Sequence, residues 1–302
     1  MILVTGGTGF IGSVLVRQLT ELGKPVRILI RPSRKSPNIP KGIPIEIAIS
    51  SLGDIRGLRA SMKDVDIIYH LAGAERLGSR ADLMKVEIEG TSNIVQAAKD
   101  ARIEKIFYLS HLGADRASAF SLLKAKGIGE KSIEDSGLDY AIIRSSIVYG
   151  LNDHFTMNLI KLIRLAPGFL FLPGEGQSLI QPLWVEDLVT CLVWALEMPD
   201  VNKKTISIGG PEFFSIKDLI LKLMDEIGIN KKLYPVNPLF LHRLTETLEN
   251  LSNKFPTSVF WLDYLAEDRI CDLNSVSRQF NLNPSRFSHR INYLQHLIKK
   301  KK

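Results

Sequence analysis

Cysteine is scarce: Cys191 and Cys271 are the only two in 302 residues, with no CxxC partner and no neighbouring His pair. That excludes a disulfide framework and a zinc site, and both thiols are expected to be buried as small apolar groups. Long hydrophobic runs are missing too. The nearest approach, Leu165 to Gly174, is broken by Pro167 and Pro173 and falls short of the roughly 18 uncharged residues that a spanning helix needs. No basic leader or Arg/Ser-rich stretch precedes Met1-Ile2-Leu3-Val4-Thr5-Gly6-Gly7, so a cytoplasmic protein is expected. With 45% apolar and 24% charged residues, the chain is neither disordered nor fibrous in composition.

Negative charge runs short at one end. Residues 231–302 hold twelve Lys/Arg against six Asp/Glu, or +6 of a formal net charge of +7. This basic end, closing on Lys299-Lys300-Lys301-Lys302, reads in two ways. It is a solvated tail, or it attracts an acidic partner, a protein complex or an anionic membrane surface, the last placing the protein at the periphery of an inner membrane face. No aromatic interleaving accompanies the charge, so nucleic acid is not an expected partner.

What is present is a rhythm. Short β-branched runs at Ile2-Leu3-Val4, Val26 to Ile30, Ile45 to Ile49, Val65 to His70, Ile106 to Ser110 and Tyr140 to Arg144 alternate with helical patterns. Near-continuously apolar strands separated by helices imply a parallel sheet covered on both faces, and so a Rossmann-type, doubly wound α/β domain over residues 1–150. Beyond it, Pro/Gly-rich connections between helices such as Val185 to Met198 and Ser215 to Ile227 imply a small, mainly helical C-terminal lobe over 151–302. Within that lobe, 185–215 is expected to pack back on the sheet. From Asn237 to Lys254, the residues Leu241, Leu244, Leu248 and Leu251 share a helical stripe. Core packing is expected for it, because the polar face carries Glu246 and Glu249 rather than the Lys/Arg of an interfacial helix.

The strongest motif is Thr5-Gly6-Gly7-Thr8-Gly9-Phe10-Ile11-Gly12, between the first strand and an amphipathic helix. Gly6, Gly9 and Gly12 supply a tight turn, close approach of backbone to a pyrophosphate and close helix–strand contact. Thr8, Phe10 and Ile11 complete a loop and helix start whose N–H groups face an anion. A dinucleotide is the expected ligand. Where the second strand ends, an NAD site places a carboxylate on the ribose. Here Arg31 stands instead, no Asp or Glu occurs between Lys24 and Pro44, and Arg34 and Lys35 lie nearby. A guanidinium fork matches a 2′-phosphate, so NADP(H) is favoured over NAD(H); a solvated basic loop is the alternative. Asp54 is suited to an adenine amino group, and Leu71-Ala72-Gly73 to close passage of ribose and nicotinamide.

Taken in order, Thr5 to Gly12, Gly53-Asp54, His70-Leu71-Ala72-Gly73, Glu89-Gly90-Thr91 and Arg144 to Gly150 resemble the landmarks of the short-chain dehydrogenase/reductase superfamily. The likeness is to its extended and atypical, epimerase/dehydratase-like and NmrA-like members, and covers about residues 1–215. Leu109-Ser110-His111-Leu112 with Lys126-Gly127-Ile128-Gly129-Glu130-Lys131 is most similar to the branch of the nucleotide-binding accessory subunit of respiratory complex I. The resemblance implies a Ser/Thr that orients a substrate oxygen, a Tyr that passes a proton and a Lys four residues later on the same helical face. Ser110 fits the first role and Lys126 the third, where Lys126 would also hold the nicotinamide ribose. The phenol is missing: position 122 is Leu, and the alternative frame pairs Lys124 with Phe120.

Three readings follow. The protein holds NADP(H) without turnover as an accessory, assembly or sensor protein. It is a reductase or dehydrogenase in which His111 or Tyr149 replaces the phenol. Or it is a binding module that docks through its basic lobe. A substrate, if there is one, is expected to be small and apolar or a carbonyl compound, over the nicotinamide between Ser110, Lys126 and the 150–182 loops. Phe155, Phe169, Phe171 and Trp184 would form an apolar wall there, or else belong to a simple core.

Overall fold

The computed structural model describes residues 1–33, 39, 42–252 and 255–294. Arg34, Lys35 and the Lys299–Lys302 run lie outside them. The chain divides into two compact units, one of Met1–Ala74, Asp82–Ser145 and Leu188–Ser207, the other of Glu75–Ala81, Ser146–Asp187 and Ile208–Lys302.

In the first unit the apolar runs become strands β1 (Ile2–Thr5), β2 (Val26–Ile30), β3 (Glu46–Ile49), β4 (Ile67–His70), β5 (Lys105–His111) and β6 (Asp139–Ser145). Helices α1 (Phe10–Glu21), α2 (Ile55–Ser61), α3 (Gly90–Ala101) and α4 (Ser121–Glu134) connect them, and a short π-helical stretch, Met84–Glu89, leads into α3. With β11 (Lys204–Ile208), the strands form a seven-stranded sheet in the order β11-β6-β5-β4-β1-β2-β3. β1 pairs in parallel with both β2 and β4 and is buried along its whole length, as a central strand covered on both faces must be. One face packs Leu3, Ile68, Ile106 and Ile142 against Leu58, Ile94 and Ala98 of α2 and α3. The strand order reverses between β1 and β4, the topological switch point at which open α/β sheets bind ligands.

The second unit holds three two-stranded ribbons. β7 (Val148–Tyr149) pairs with β10 (Leu183–Trp184), β8 (Phe169–Pro173) with β13 (Lys232–Val236), and β9 (Leu179–Ile180) with β12 (Phe214–Ser215). Around them lie α5 (Phe155–Leu165), the start of α6 (Val185–Trp194), α7 (Ile216–Ile227), α8 (Pro238–Leu251), α9 (Val259–Tyr264), α10 (Ser275–Phe280) and α11 (Phe287–Arg290). α7 shows how sequence becomes helix. The Ser215 hydroxyl accepts from Asp218 N–H at the N-cap, and the apolar positions Ile216, Leu219, Ile220, Leu223, Met224 and Ile227 form the buried stripe. Gly228, in the left-handed region, closes the helix.

Three expectations are corrected here. Cys191 is fully buried, but Cys271 is only half-buried, because it follows the loop at Arg269 rather than sitting inside a helix. The leucine stripe of α8 is only partly core: Leu241, Leu244 and Leu248 are half-buried. The buried positions are Thr245 and Glu249, while Leu251 is 78% exposed. Glu249 turns inward because its carboxylate accepts N–H bonds from Ser79 at 3.4 Å and Val259 at 3.2 Å, which compensates a buried charge. Of the four aromatics expected in one wall, Phe155 and Phe171 line one apolar cavity and Phe169 lies beside Phe171, while Trp184 packs edge-on against Tyr149. Tyr149 is itself core: it lies against Trp184 and Phe287, and burial pushes its phenol far above its ordinary pKa.

Candidate functional site

The glycine motif occupies the carboxyl end of β1, at the switch point. Gly6 has φ +71°, and a Cβ there would lie 2.7 Å from the Leu71 carbonyl, so the turns after β1 and β4 touch backbone to backbone and only glycine fits. A Cβ at Gly12 would meet Gly6 O at 2.2 Å, which seats the first turn of α1 on the loop. Gly9 is different: its Cβ would meet only Gly6 O, at 3.1 Å. Gly9 is the N-cap of α1 and provides no side-chain cap. The N–H groups of Phe10, Ile11 and Gly12 therefore have no intrahelical acceptor, with no acidic side chain in the first turn. That combination of free N–H groups, open space and positive helix end fits a pyrophosphate.

The other predicted cofactor residues take up varied places. Thr8, Phe10 and Ile11 are half-buried at this helix start, as are Leu71 and Ala72 after β4, while Gly73 is exposed. Ala72 N–H donates to Thr5 Oγ1 at 3.2 Å. Arg31 is exposed directly after β2. Asp54 also has a local duty. It is the N-cap of α2, and its Oδ1 accepts from Gly57 N–H at 3.0 Å.

Beneath the switch point lies a buried polar cluster. His70 Nδ1 meets Thr5 Oγ1 at 2.7 Å and its Nε2 meets Thr91 Oγ1 at 3.1 Å. Burial, with the Lys126 charge adding to it, lowers the imidazole pKa to about 3. The ring is therefore neutral, one nitrogen donating and the other accepting. Ser110, on β5, is 1% exposed, and its Oγ has no hydrogen-bond partner among the described residues.

Lys126 is 3% exposed and its Nζ lies 3.0 Å from Oε2 of a fully buried Glu87. It also lies 3.5 Å from Leu109 O and 5.3 Å from the centre of the Tyr108 ring. Glu87 Oε1 accepts from Ala74 N–H at 2.6 Å. The carboxylate therefore ties the lysine to the segment following β4. One turn on, Glu130 grips Arg144 of β6 with both oxygens, a bidentate pair that raises the guanidinium pKa and fixes α4 on the sheet. Leu122 is buried and apolar, so nothing at that position passes a proton. Glu87 had no signal in the sequence: it stands between Val86 and Ile88 on a short π-helix, and its partner is 39 positions away.

The comparisons agree with this geometry. A family described as NAD(P)H-binding matches residues 6–154. NADH dehydrogenase [ubiquinone] 1 alpha subcomplex subunit 9, mitochondrial, from Arabidopsis thaliana is 27% identical over 233 residues, 74% of this chain and 57% of that protein. Photosystem II assembly factor Ycf39 of Synechocystis is 25% identical over 308 residues, 97% of this chain and 89% of that one. Sequence and fold fit an atypical short-chain dehydrogenase/reductase, NmrA-like family. The chain spans little more than half of the Arabidopsis relative. Its fold is also that of the NADPH-dependent quinone oxidoreductase QOR2 of Escherichia coli, solved with NADPH: TM-score 0.77, 17% identity, covering 98% of this chain and all of the other. The chain is thus similar to NAD(P)H-binding proteins of the atypical short-chain dehydrogenase/reductase type. When bound, the nicotinamide group supplies or accepts hydride. The residues that would hold the dinucleotide are the N–H groups at 10–12, the open space over Gly9 and the backbone at 71–73.

Proposed function

We propose that this protein binds NADP(H) as an accessory or assembly component of a larger complex, without turning the cofactor over. One observation carries the reading. The position that should pass a proton is Leu122, and the lysine that should assist it is committed to Glu87 inside the fold. Loss of a general acid/base typically removes about 10²- to 10⁴-fold in rate, while the dinucleotide cradle is intact. Exposed Arg31 and the absence of any acid from Lys24 to Pro44 support a 2′-phosphate and hence NADP(H). The complex I subunit and the photosystem assembly factor among its relatives support association with a larger assembly, and the basic C-terminal region is suited to an acidic partner or an anionic surface.

The test is thermal melting with NADPH, NADP, NADH and NAD, run beside an NADPH oxidation assay with carbonyl and quinone substrates. A ligand at 100 times its Kd stabilises by about 2.7 kcal/mol, a shift of several degrees. The expected result is the largest shift with NADPH, a reduced one in Arg31→Asp, and no oxidation. Sustained oxidation abolished by Lys126→Ala would favour a second reading, a reductase in which the partnerless Ser110 hydroxyl orients the oxygen of a small apolar or carbonyl substrate.

A further inference from the structure

The second unit contains an apolar cavity of about 90 Å³ between α5, α7, α8 and α9. None of the residues assigned above to the dinucleotide lines it. Phe155, Leu162, Ile220, Leu241 and Trp261 belong to its mainly apolar wall, to which Asn158, Thr245 and Thr257 add hydrogen-bonding side chains. Close-packed interiors leave few voids larger than a water molecule, and apolar voids stay dry and accept apolar guests. This one is smaller than the roughly 150 Å³ cavity that admits benzene. Its size suits the last few carbons of a chain.

The cavity does not stop at the interior. Phe171 belongs to its lining and also to the outer face of β8, where burial alternates: Leu170 and Leu172 point in, Phe169 and Phe171 out. The parallel register sets Phe171 beside Tyr234 and Phe169 beside Lys232. Three exposed rings thus share one face, Phe169 lying 5.2 Å from Phe171 and 5.8 Å from Tyr234 between centroids. Leu165 at the end of α5 and Leu239 and Phe240 at the start of α8 are exposed as well. Apolar surface gathered in this way marks a ligand or partner.

Two cations stand on these elements. Lys232 stands in register on the strip itself, and Lys161 bonds through Nζ to Oδ1 of the cavity residue Asn158 at 3.4 Å. The acid on α9, Asp263, is engaged by His242 at 3.2 Å.

We propose that the cavity and the aromatic strip bind the hydrocarbon chain of a single-chain anionic amphiphile, its terminal carbons inside and its carboxylate or phosphate head towards Lys161 and Lys232. This is independent of the dinucleotide reading. The probe is dodecanoate below its micelle-forming concentration, titrated into the whole protein and followed by tryptophan fluorescence, to which Trp261 in the wall contributes, and by melting temperature.

Saturable one-to-one binding is expected. Filling the cavity with Leu241→Phe or Leu162→Phe weakens it tenfold or more, and Lys161→Glu with Lys232→Glu weakens it severalfold. Dodecyltrimethylammonium, with the same chain and opposite charge, binds less well. An unchanged cooperative thermal transition without ligand certifies each variant as folded, and Phe171→Ser, at an exposed position, carries the test if a filling variant fails that control. Absence of saturable binding, or binding indifferent to folded variants in cavity and strip, overturns the proposal. So does binding only to vesicles containing anionic phospholipid, which would make the strip a bilayer-docking face instead.

Discussion

The loop at Gly6–Gly12 and the cluster around Lys126 belong to the same sheet edge and are built on opposite principles. The loop is made of backbone: its ligand-directed groups are N–H donors, and its glycines act by what they lack. The cluster is made of side chains, and each charged group in it is already answered by another, Lys126 by Glu87 and Arg144 by Glu130. One is open towards an anion; in the other the charged side chains are paired with one another. On the reading proposed above, the fold keeps the holding half of an enzyme site while its working half is absorbed into the core.

Breaking the closed half should have the largest effect. Glu87→Gln leaves the Lys126 ammonium buried without its counter-ion and should cost about 3–5 kcal/mol in urea unfolding. The double variant Glu87→Leu with Lys126→Met should recover most of that loss, since a well-packed apolar pair often replaces a buried ionic one without cost. If the single variant is as stable as the parent, the lysine is not held as described.

The open half should fail in binding rather than in folding. Gly9→Asp puts a carboxylate where the phosphates belong, with only a 3.1 Å contact to accommodate. It should lower dinucleotide affinity by about 100-fold or more, or about 2.7 kcal/mol, while shifting the unliganded melting temperature little. Isothermal titration with NADPH reads this directly.

The smallest effect lies between the two halves, at His70. Its folded pKa is about 3, below the ordinary 6.5. From pH 6.5 down towards 3, the unfolded chain takes up a proton that the folded one does not. Stability contributed by the neutral ring is complete above about pH 6.5 and declines as pH falls, by up to about 1.4 kcal/mol per pH unit. The His70→Gln variant should show a flatter stability profile between pH 7 and 5 than the parent, whatever its absolute stability. Equal slopes would mean that His70 takes up a proton in the fold as readily as in the unfolded chain.

The same contrast explains what could be read from residue order. The six strands of the doubly wound half are β-branched runs bounded by turns, and the glycine loop is contiguous, so both announce themselves locally. Glu87 cannot: its meaning depends on Lys126 and Ala74, brought to it by the fold. On α8 the apolar periodicity marks half-buried positions but not the most buried ones, because Glu249 answers the N–H groups of Ser79 and Val259 from other parts of the chain. Cys271 is half-buried for a similar reason, its place in a loop rather than its residue type deciding its exposure.

The bond from Ala74 N–H to Glu87 has a further consequence. Ala74 lies in an irregular segment just past β4, a place where amide protons ordinarily trade with solvent within seconds to minutes. Held at 2.6 Å by a fully buried carboxylate, this amide should exchange deuterium on the timescale of the central strands, a slow proton among fast neighbours.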